Sequence, residues 1–368
     1  MKRVIRIALA AAALAWGADV PAHWGLGHFR RPDGATPVIA PRQESVFFCP
    51  MRQAQVHWEA LHTFNPAAVV RNGKVYVLYR AEDDTGRMEI GGHTSRLGLA
   101  ESTDGLHFTR RPSPVLYPAD DGQKEREWEG GCEDPRVVES EDGTYVLTYT
   151  QWNRKSTDAA IATSKDLVSW TKHGPVFAQA SGGKYAGLSY KSAGIVCRAS
   201  RGRLIAARIN GKYWMYWGEG AVRVATSVNL VDWQPLEDSR GGPIEVLGPR
   251  AGRFDSSFPE VGPPPVVTRD GIVVLYNGKN SGQNGDPNLP EGAYAAGEAL
   301  FAANDPTRFI ARTDAPVFRP ELPFERSGQY AAGTTFVEGL VLFHGKYFLY
   351  YGCADSLVGV AVSDSAGR

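Results

Sequence analysis

One pattern returns five times along this chain: a turn residue, a glycine, then an alternating strand rich in aromatic residues. It reads Asn72-Gly73-Lys74-Val75-Tyr76-Val77-Leu78-Tyr79, then Asp142-Gly143-Thr144-Tyr145-Val146-Leu147-Thr148-Tyr149, then Asn210-Gly211-Lys212-Tyr213-Trp214-Met215-Tyr216. Asp270-Gly271-Ile272-Val273-Val274-Leu275-Tyr276 and His344-Gly345-Lys346-Tyr347-Phe348-Leu349-Tyr350 complete the series. The five glycines are spaced 70, 68, 60 and 74 residues apart. Asn-Gly and Asp-Gly between apolar runs signal hairpins, because a type I′ turn needs positive φ at both central positions. Each repeat is long enough for four strands, and regular repetition of one supersecondary unit means a solenoid, propeller or array. Helical periodicity is nearly absent past residue 40. The expected fold is all-β, a five-bladed β-propeller forming one domain over residues 19–368.

A second element follows the hairpins. Ala100-Glu101-Ser102-Thr103-Asp104-Gly105-Leu106-His107-Phe108 is echoed by Ala162-Thr163-Ser164-Lys165-Asp166-Leu167-Val168-Ser169-Trp170 and by Ala225-Thr226-Ser227-Val228-Asn229-Leu230-Val231-Asp232-Trp233. Ala302-Ala303-Asn304-Asp305-Pro306-Thr307-Arg308-Phe309 is a degenerate copy. A strand, a tight turn and an aromatic anchor suit the outer strands of a blade.

Charge excludes some partners. Forty basic and forty acidic residues balance, which argues against nucleic acid or an anionic membrane as the main partner. Lys2, Arg3 and Arg6 precede the apolar run Ile7–Ala15, with small residues after it. This predicts a signal peptide over residues 1–18 and a periplasmic or secreted protein without a membrane anchor. The run is too short to anchor in a bilayer. Cys49, Cys132, Cys197 and Cys353 permit two disulfides, but their scatter favours buried free thiols. No Cys-x-x-Cys or His/Cys cluster suggests a metal site, and no cofactor is expected.

The densest chemistry lies at Glu127-Trp128-Glu129-Gly130-Gly131-Cys132-Glu133-Asp134-Pro135-Arg136, just before the apolar pair Val137-Val138. Propellers bind ligands on the axis, where the strands that begin each repeat converge. Polar residues at those points are Asn65, Arg80, Glu82, Asp83, His93 and Arg96 in the first repeat, and Glu133, Asp134, Arg136, Gln151 and Trp152 in the second. Lys191 and Glu219 stand there in the third, Asp255, Glu260 and Asn277 in the fourth, and Glu338 and Asp355 in the fifth. Carboxylates, aromatics and neutral hydrogen-bonding groups are what a sugar needs, and two carboxyl groups can run acid/base chemistry on an acetal. The plainer reading makes Arg80 and Arg96 structural partners of Glu82 or Asp83, and Glu219 an exposed turn residue between Gly218 and Gly220.

Four motifs sharpen this. Phe64-Asn65-Pro66, Thr94-Ser95-Arg96-Leu97-Gly98-Leu99-Ala100, Gly131-Cys132-Glu133-Asp134-Pro135-Arg136 and Tyr351-Gly352-Cys353-Ala354-Asp355 together resemble glycoside hydrolase family 130, from about residue 60 to the C-terminus. The resemblance implies a five-bladed propeller acting on β-mannosides with inversion, most members being phosphorylases and one branch hydrolysing β-1,2-mannosides. It implies that Asp134 is the general acid, acting through the 3-hydroxyl of the mannose. Asn65, Arg80, Arg96 and Asp355 fall on positions that hold that mannose, with Arg136 and Lys191 counted among the substrate-binding residues. An acid, Glu219, stands where the phosphorylases carry a phosphate-binding arginine. Glu219 with Glu260 resembles the glutamate pair of the β-1,2-mannosidase branch, one of them activating water. The expected activity is therefore an exported, inverting β-mannosidase. A phosphorylase using Lys191, Lys212 or Arg198 for phosphate is the rival, and a non-catalytic glycan-binding propeller is a rival of another class. Linkage, oligomeric state and the identity of the base within the pair stay open.

Overall fold

The computed structural model describes residues 24–366, so the segment read as a signal peptide lies outside the described residues. Strands dominate these. The only α-helix among them is the single turn Lys124–Glu127. Each of the five repeats is an antiparallel meander. The first runs through His62–Arg71, Lys74–Glu82, Ser95–Ser102 and Thr109–Arg110. The second runs through Gly131–Glu139, Tyr145–Trp152, Thr157–Ser164 and Thr171–Pro175. The third uses Ala193–Ile195, Lys212–Trp217, Val222–Ser227 and Trp233–Pro235. In the fourth, Phe258–Val261 and Val266–Val267 both pair with Ile272–Lys279, which is followed by Tyr294–Ala302 and Asp305–Arg312. The fifth takes Thr335–Phe343, Lys346–Cys353 and Leu357–Ala366, and its outer strand is Phe29–Arg30 from the other end of the chain. The fold is all-β, as expected.

The glycine hairpins divide into two kinds. Asn72-Gly73, Asn210-Gly211 and His344-Gly345 have positive φ at both residues, as the type I′ expectation requires. In Asp142-Gly143 and Asp270-Gly271 only the glycine does. Asp142 instead accepts from Ser140 and Thr144 through its side chain, an alternative the Asn-Gly turns do not use. The second element is equally regular. Asp104, Asp166 and Asn229 each accept two backbone N–H bonds, from residues two and three further on, at 2.8–3.0 Å. Trp170 and Trp233 then fold back, their indole N–H donating to Leu167 and Leu230 carbonyls at 3.1 and 3.2 Å. These Asx turns explain why the Ser-x-Asp/Asn spacing recurs in sequence.

Adjacent repeats bury apolar faces against each other. Leu78, Leu99, Val137, Leu147 and Tyr149 join the first and second in one cluster, and Tyr216, Val224, Val274, Tyr276 and Phe301 join the third and fourth. All four cysteines are buried and free, so no disulfide links the repeats.

Candidate active site

The first strands of the repeats carry bulges where their polar residues sit. Asn65 has φ +43° and Asp134 φ +47°, each just before a proline, and the strand register shifts at Phe64/Pro66 and again at Glu133/Arg136. Proline cannot donate to a ladder, so its bond is lost in any case, and the bulge re-aims the preceding side chain. Asn65 Nδ2 thereby donates to Asp134 Oδ1 at 2.8 Å, joining the first repeat to the second.

Asp134 and Asn65 open onto a cavity of about 330 Å³. Its wall also includes Arg80, Glu133, Lys191, Glu219, Glu260 and Asp355, with Phe64, Trp152, Tyr294, Tyr330 and Phe336 as its aromatic surfaces. Of the nine residues expected to catalyse or bind substrate, seven line this cavity: Asn65, Arg80, Asp134, Lys191, Glu219, Glu260 and Asp355.

Arg80 is the hub of one side. Its guanidinium lies over the Phe64 ring and meets Glu82 at 2.7 Å, Glu133 at 2.8 Å and Asp134 at 3.1 Å. Three carboxylates on one guanidinium cannot all be well compensated. Burial raises the Glu133 carboxyl to about 7, with Asp134 and Glu82 adding to the rise against Arg80. Asp355 is likewise pushed up to about 7 by burial, again against the pull of Arg80. Asp134 goes the other way. Burial would raise it, but Arg80, Lys191 and the Asn65 amide outweigh burial and hold it below its ordinary range.

The opposite side is built on Lys191. Its ammonium lies 3.5 Å from Glu219 and 3.6 Å from Glu260, whose backbones form an isolated bridge. Glu260 is fully buried and accepts from Ser192 on one oxygen, while its other oxygen has no partner. Burial raises its carboxyl, opposed by Lys191 and reinforced by Glu219. An unpartnered, buried carboxylate oxygen beside a half-exposed carboxylate is a place where a water molecule can be held and deprotonated.

Arg96 and Arg136 were expected to bind substrate, and neither lines the cavity. Arg96 is fully buried, held by Asp83 at 2.8 Å, the Thr94 carbonyl at 3.2 Å and the Cys49 sulfur at 3.3 Å. That is the structural ion pair allowed for in the sequence. Arg136 lies behind Asp134. It pairs with Glu338 at 2.8 Å and donates to the carbonyls of Val261 and Gly262 at 2.7 Å each and of Asp134 at 3.1 Å. It ties together the strands that carry Asp134, Glu260 and Glu338. Lys212 and Arg198, the other cations considered for phosphate, are solvent-exposed and outside the wall.

Tyr294, Tyr330 and Phe336 line the cavity without having been singled out, and Glu133, expected near the axis but assigned no role, lines it too. Strand alternation should send Glu133 and Asp134 to opposite faces, and only the bulge brings both to the cavity. Tyr294 stacks edge-on to Tyr330 and Phe336 at 5.5 and 5.7 Å, an aromatic wall assembled from the fourth and fifth repeats. One further group lies behind Arg80: His62, Glu82 and His93 bring potential metal-ligating atoms within 4.8 Å of one another.

Comparison with known proteins gives a consistent picture. The family model described as β-1,4-mannooligosaccharide phosphorylase matches residues 37–366. A 1,2-β-oligomannan phosphorylase from Thermoanaerobacter sp. (strain X514) is 31% identical over 316 residues, covering 85% of this chain and 93% of that protein. Among solved structures, a putative glycosidase from Bacteroides thetaiotaomicron VPI-5482 superposes with a TM-score of 0.91 at 56% identity, over 93% of this chain and 98% of that one. Another, from work described as showing that the GH130 family of mannoside phosphorylases contains glycoside hydrolases targeting β-1,2 mannosidic linkages in Candida mannan, has a TM-score of 0.91 at 53% identity. It covers 94% of this chain and 97% of that one.

Proposed function

The chain belongs to glycoside hydrolase family 130, and from that premise we propose that it is an inverting hydrolase of β-mannosides, with β-1,2-linked mannose as its substrate class. One observation carries this reading. The cavity wall holds five carboxylates, Glu133, Asp134, Glu219, Glu260 and Asp355, against two cations, Arg80 and Lys191. Both cations already pair with carboxylates of that wall. Two like unit charges 4 Å apart repel by about 4 kcal/mol at an effective dielectric of 20. A phosphate dianion entering here would meet such repulsion from each carboxylate that is ionised, and the guanidinium of the wall, Arg80, is already paired. A neutral water molecule meets none, and Glu219 and Glu260 can orient it and take its proton.

In this mechanism the mannose lies between Asn65, Arg80 and Asp355 on one side and the Glu219/Glu260 pair on the other. Asp134 supplies the proton for the leaving oxygen, through the sugar's own 3-hydroxyl as the family resemblance implies. Water activated by the glutamate pair attacks the anomeric carbon from the face opposite the leaving group, giving α-mannose. The five four-stranded units are read as five blades round this cavity, with Phe29–Arg30 closing the last one. The basic and apolar N-terminal run supports export. Export suits hydrolysis, because a sugar phosphate released outside the cell membrane is lost to the cell.

Phosphorolysis is the second reading, favoured by the 31% identical oligomannan phosphorylase. Incubation with β-1,2-mannobiose separates the two. Free mannose should appear at a rate indifferent to millimolar phosphate, and proton NMR should catch α-mannose before mutarotation. Mannose 1-phosphate as the product would establish phosphorolysis, and initial β-mannose would rule out inversion.

A further inference from the structure

We propose that His62, Glu82 and His93 form a binding site for one divalent transition-metal ion, with zinc as the best chemical match. Their ligating atoms lie within 4.8 Å of one another, and the imidazole centroids are 6.0 Å apart with planes at 62°. A tetrahedral set of bonds near 2.1 Å puts ligand atoms about 3.4 Å apart. Closing onto an ion therefore takes a modest side-chain rotation, which half-buried His62 can make.

The hydrogen bonds prepare both rings. His93 Nδ1 faces the Thr85 carbonyl at 3.3 Å, and a carbonyl can only accept. Nδ1 therefore carries the proton, and the Nε2 lone pair is free. His62 Nδ1 faces Ser356 Oγ at 3.0 Å. That hydroxyl is placed to spend its own proton on the Ala354 carbonyl, so it accepts from His62 and again leaves Nε2 free. Outer oxygen partners on Nδ1 are the usual arrangement for metal-bound histidines. On Glu82, Oε1 is engaged by Arg80 and Ser95, while Oε2 has only a long bond from Gln329 Nε2 at 3.3 Å. Two imidazoles and a carboxylate, with a fourth position left for water or a sugar hydroxyl, match zinc's preferences.

Charge favours a cation despite the nearby guanidinium. Glu82, Glu133 and Asp134 all contact Arg80, and Asp355 feels the same group, so the neighbourhood keeps an anionic excess after Arg80 is counted. The site also has a mechanical consequence. His62 begins one strand, Glu82 ends the next, and His93 stands one residue before the end of the connection that follows. That connection carries Ile90 and Gly91 into the cavity wall. An ion here would pin it to the sheet.

Metal binding at this place is independent of whether water or phosphate is the acceptor. The test uses untagged full-length protein, stripped with a chelator, dialysed, and titrated with zinc alone. Elemental analysis should find about one zinc per chain, the melting temperature should rise, and amide exchange over residues 83–94 should slow. His62→Ala and His93→Ala should each weaken zinc binding about tenfold or more, and Glu219→Gln should bind zinc like the parent. Absence of stoichiometric zinc in the parent would overturn the site. Unchanged zinc affinity in both histidine variants, with folding confirmed by melting, would overturn it equally. Zinc bound without slowed exchange would overturn the clamping role.

Discussion

In the proposed mechanism Asp134 delivers a proton from surroundings that favour its loss. Arg80, Lys191 and Asn65 favour the ionised carboxylate, although burial pulls the other way. Its neighbours Glu133 and Asp355 sit near 7, so at neutral pH the protons of this corner rest partly on them. Asp134→Asn preserves shape and cannot relay a proton, so kcat should fall by about 10²–10⁴-fold. Unchanged turnover in a folded variant would remove Asp134 from the acid role. The raised groups also set a pH dependence. In the proposed mechanism the proton that Asp134 relays is shared with these groups, so the competent form is the protonated set; it is lost as pH rises through about 7, and kcat/KM should decline above that point. A profile flat from pH 6 to 9 would contradict this. Glu219→Gln and Glu260→Gln should each cost orders of magnitude in kcat, and full activity in both would place the base elsewhere.

At the level of the strand, catalysis depends on close backbone approach as much as on side chains. Gly352 carries no functional group, yet a Cβ there would lie 2.2 Å from Asn65 Oδ1. Gly352→Ala must push Asn65 away from Asp134. A hydrogen bond to a charged group is worth about 1.5–3 kcal/mol, so kcat/KM should drop roughly ten- to hundredfold. Wild-type kinetics in that variant would show that Asn65 does not position Asp134. The bulges at Asn65-Pro66 and Asp134-Pro135 were not legible in the sequence, whereas the Gly-anchored hairpins and the tight turns with their aromatic anchors were, because each is a local solution written in adjacent residues. Seven cavity residues were legible for the same reason: they occupy equivalent points in the repeats. Arg96 and Arg136 were misplaced because a guanidinium within a motif can face the cavity or brace it from behind. Only the carbonyls of Val261 and Gly262, 125 and 126 residues away, decide that for Arg136. Glu133 stood among the polar residues expected near the axis but was given no role there, because alternation in a regular strand would turn it away from Asp134, and it is the bulge that brings both to the cavity. The His62, Glu82 and His93 group escaped because its members are 20 and 11 residues apart and match no metal-ligand spacing.

Across the whole molecule, the first and last strands among the described residues meet. Phe29–Arg30 completes the sheet of the fifth repeat, and Ile39 bridges Val358 in the same sheet. Arg31 pairs with fully buried Glu325 at 2.6 Å while stacking on Phe318. One residue group of this seam is poorly solvated. Glu298, in the fourth repeat, is 3% exposed, and among the described residues its side chain accepts one hydrogen bond, from the Leu26 backbone N–H at 3.0 Å. Burial raises its carboxyl to about 7, opposed by that one bond. A carboxyl raised on folding is stabilising while protonated. That contribution is complete below the unfolded value near 4.5 and disappears as pH rises through about 7. Ionised Glu298 therefore costs the native state on the order of 3 kcal/mol at pH 8. Glu298→Gln keeps an oxygen for Leu26 and never ionises. Its melting temperature, relative to the parent, should rise by several degrees between pH 4.5 and pH 8, with most of the change between pH 5 and 7. Parallel melting curves for the two proteins across that range would mean that Glu298 stays charged in the fold, and that this seam opens enough to let water reach it.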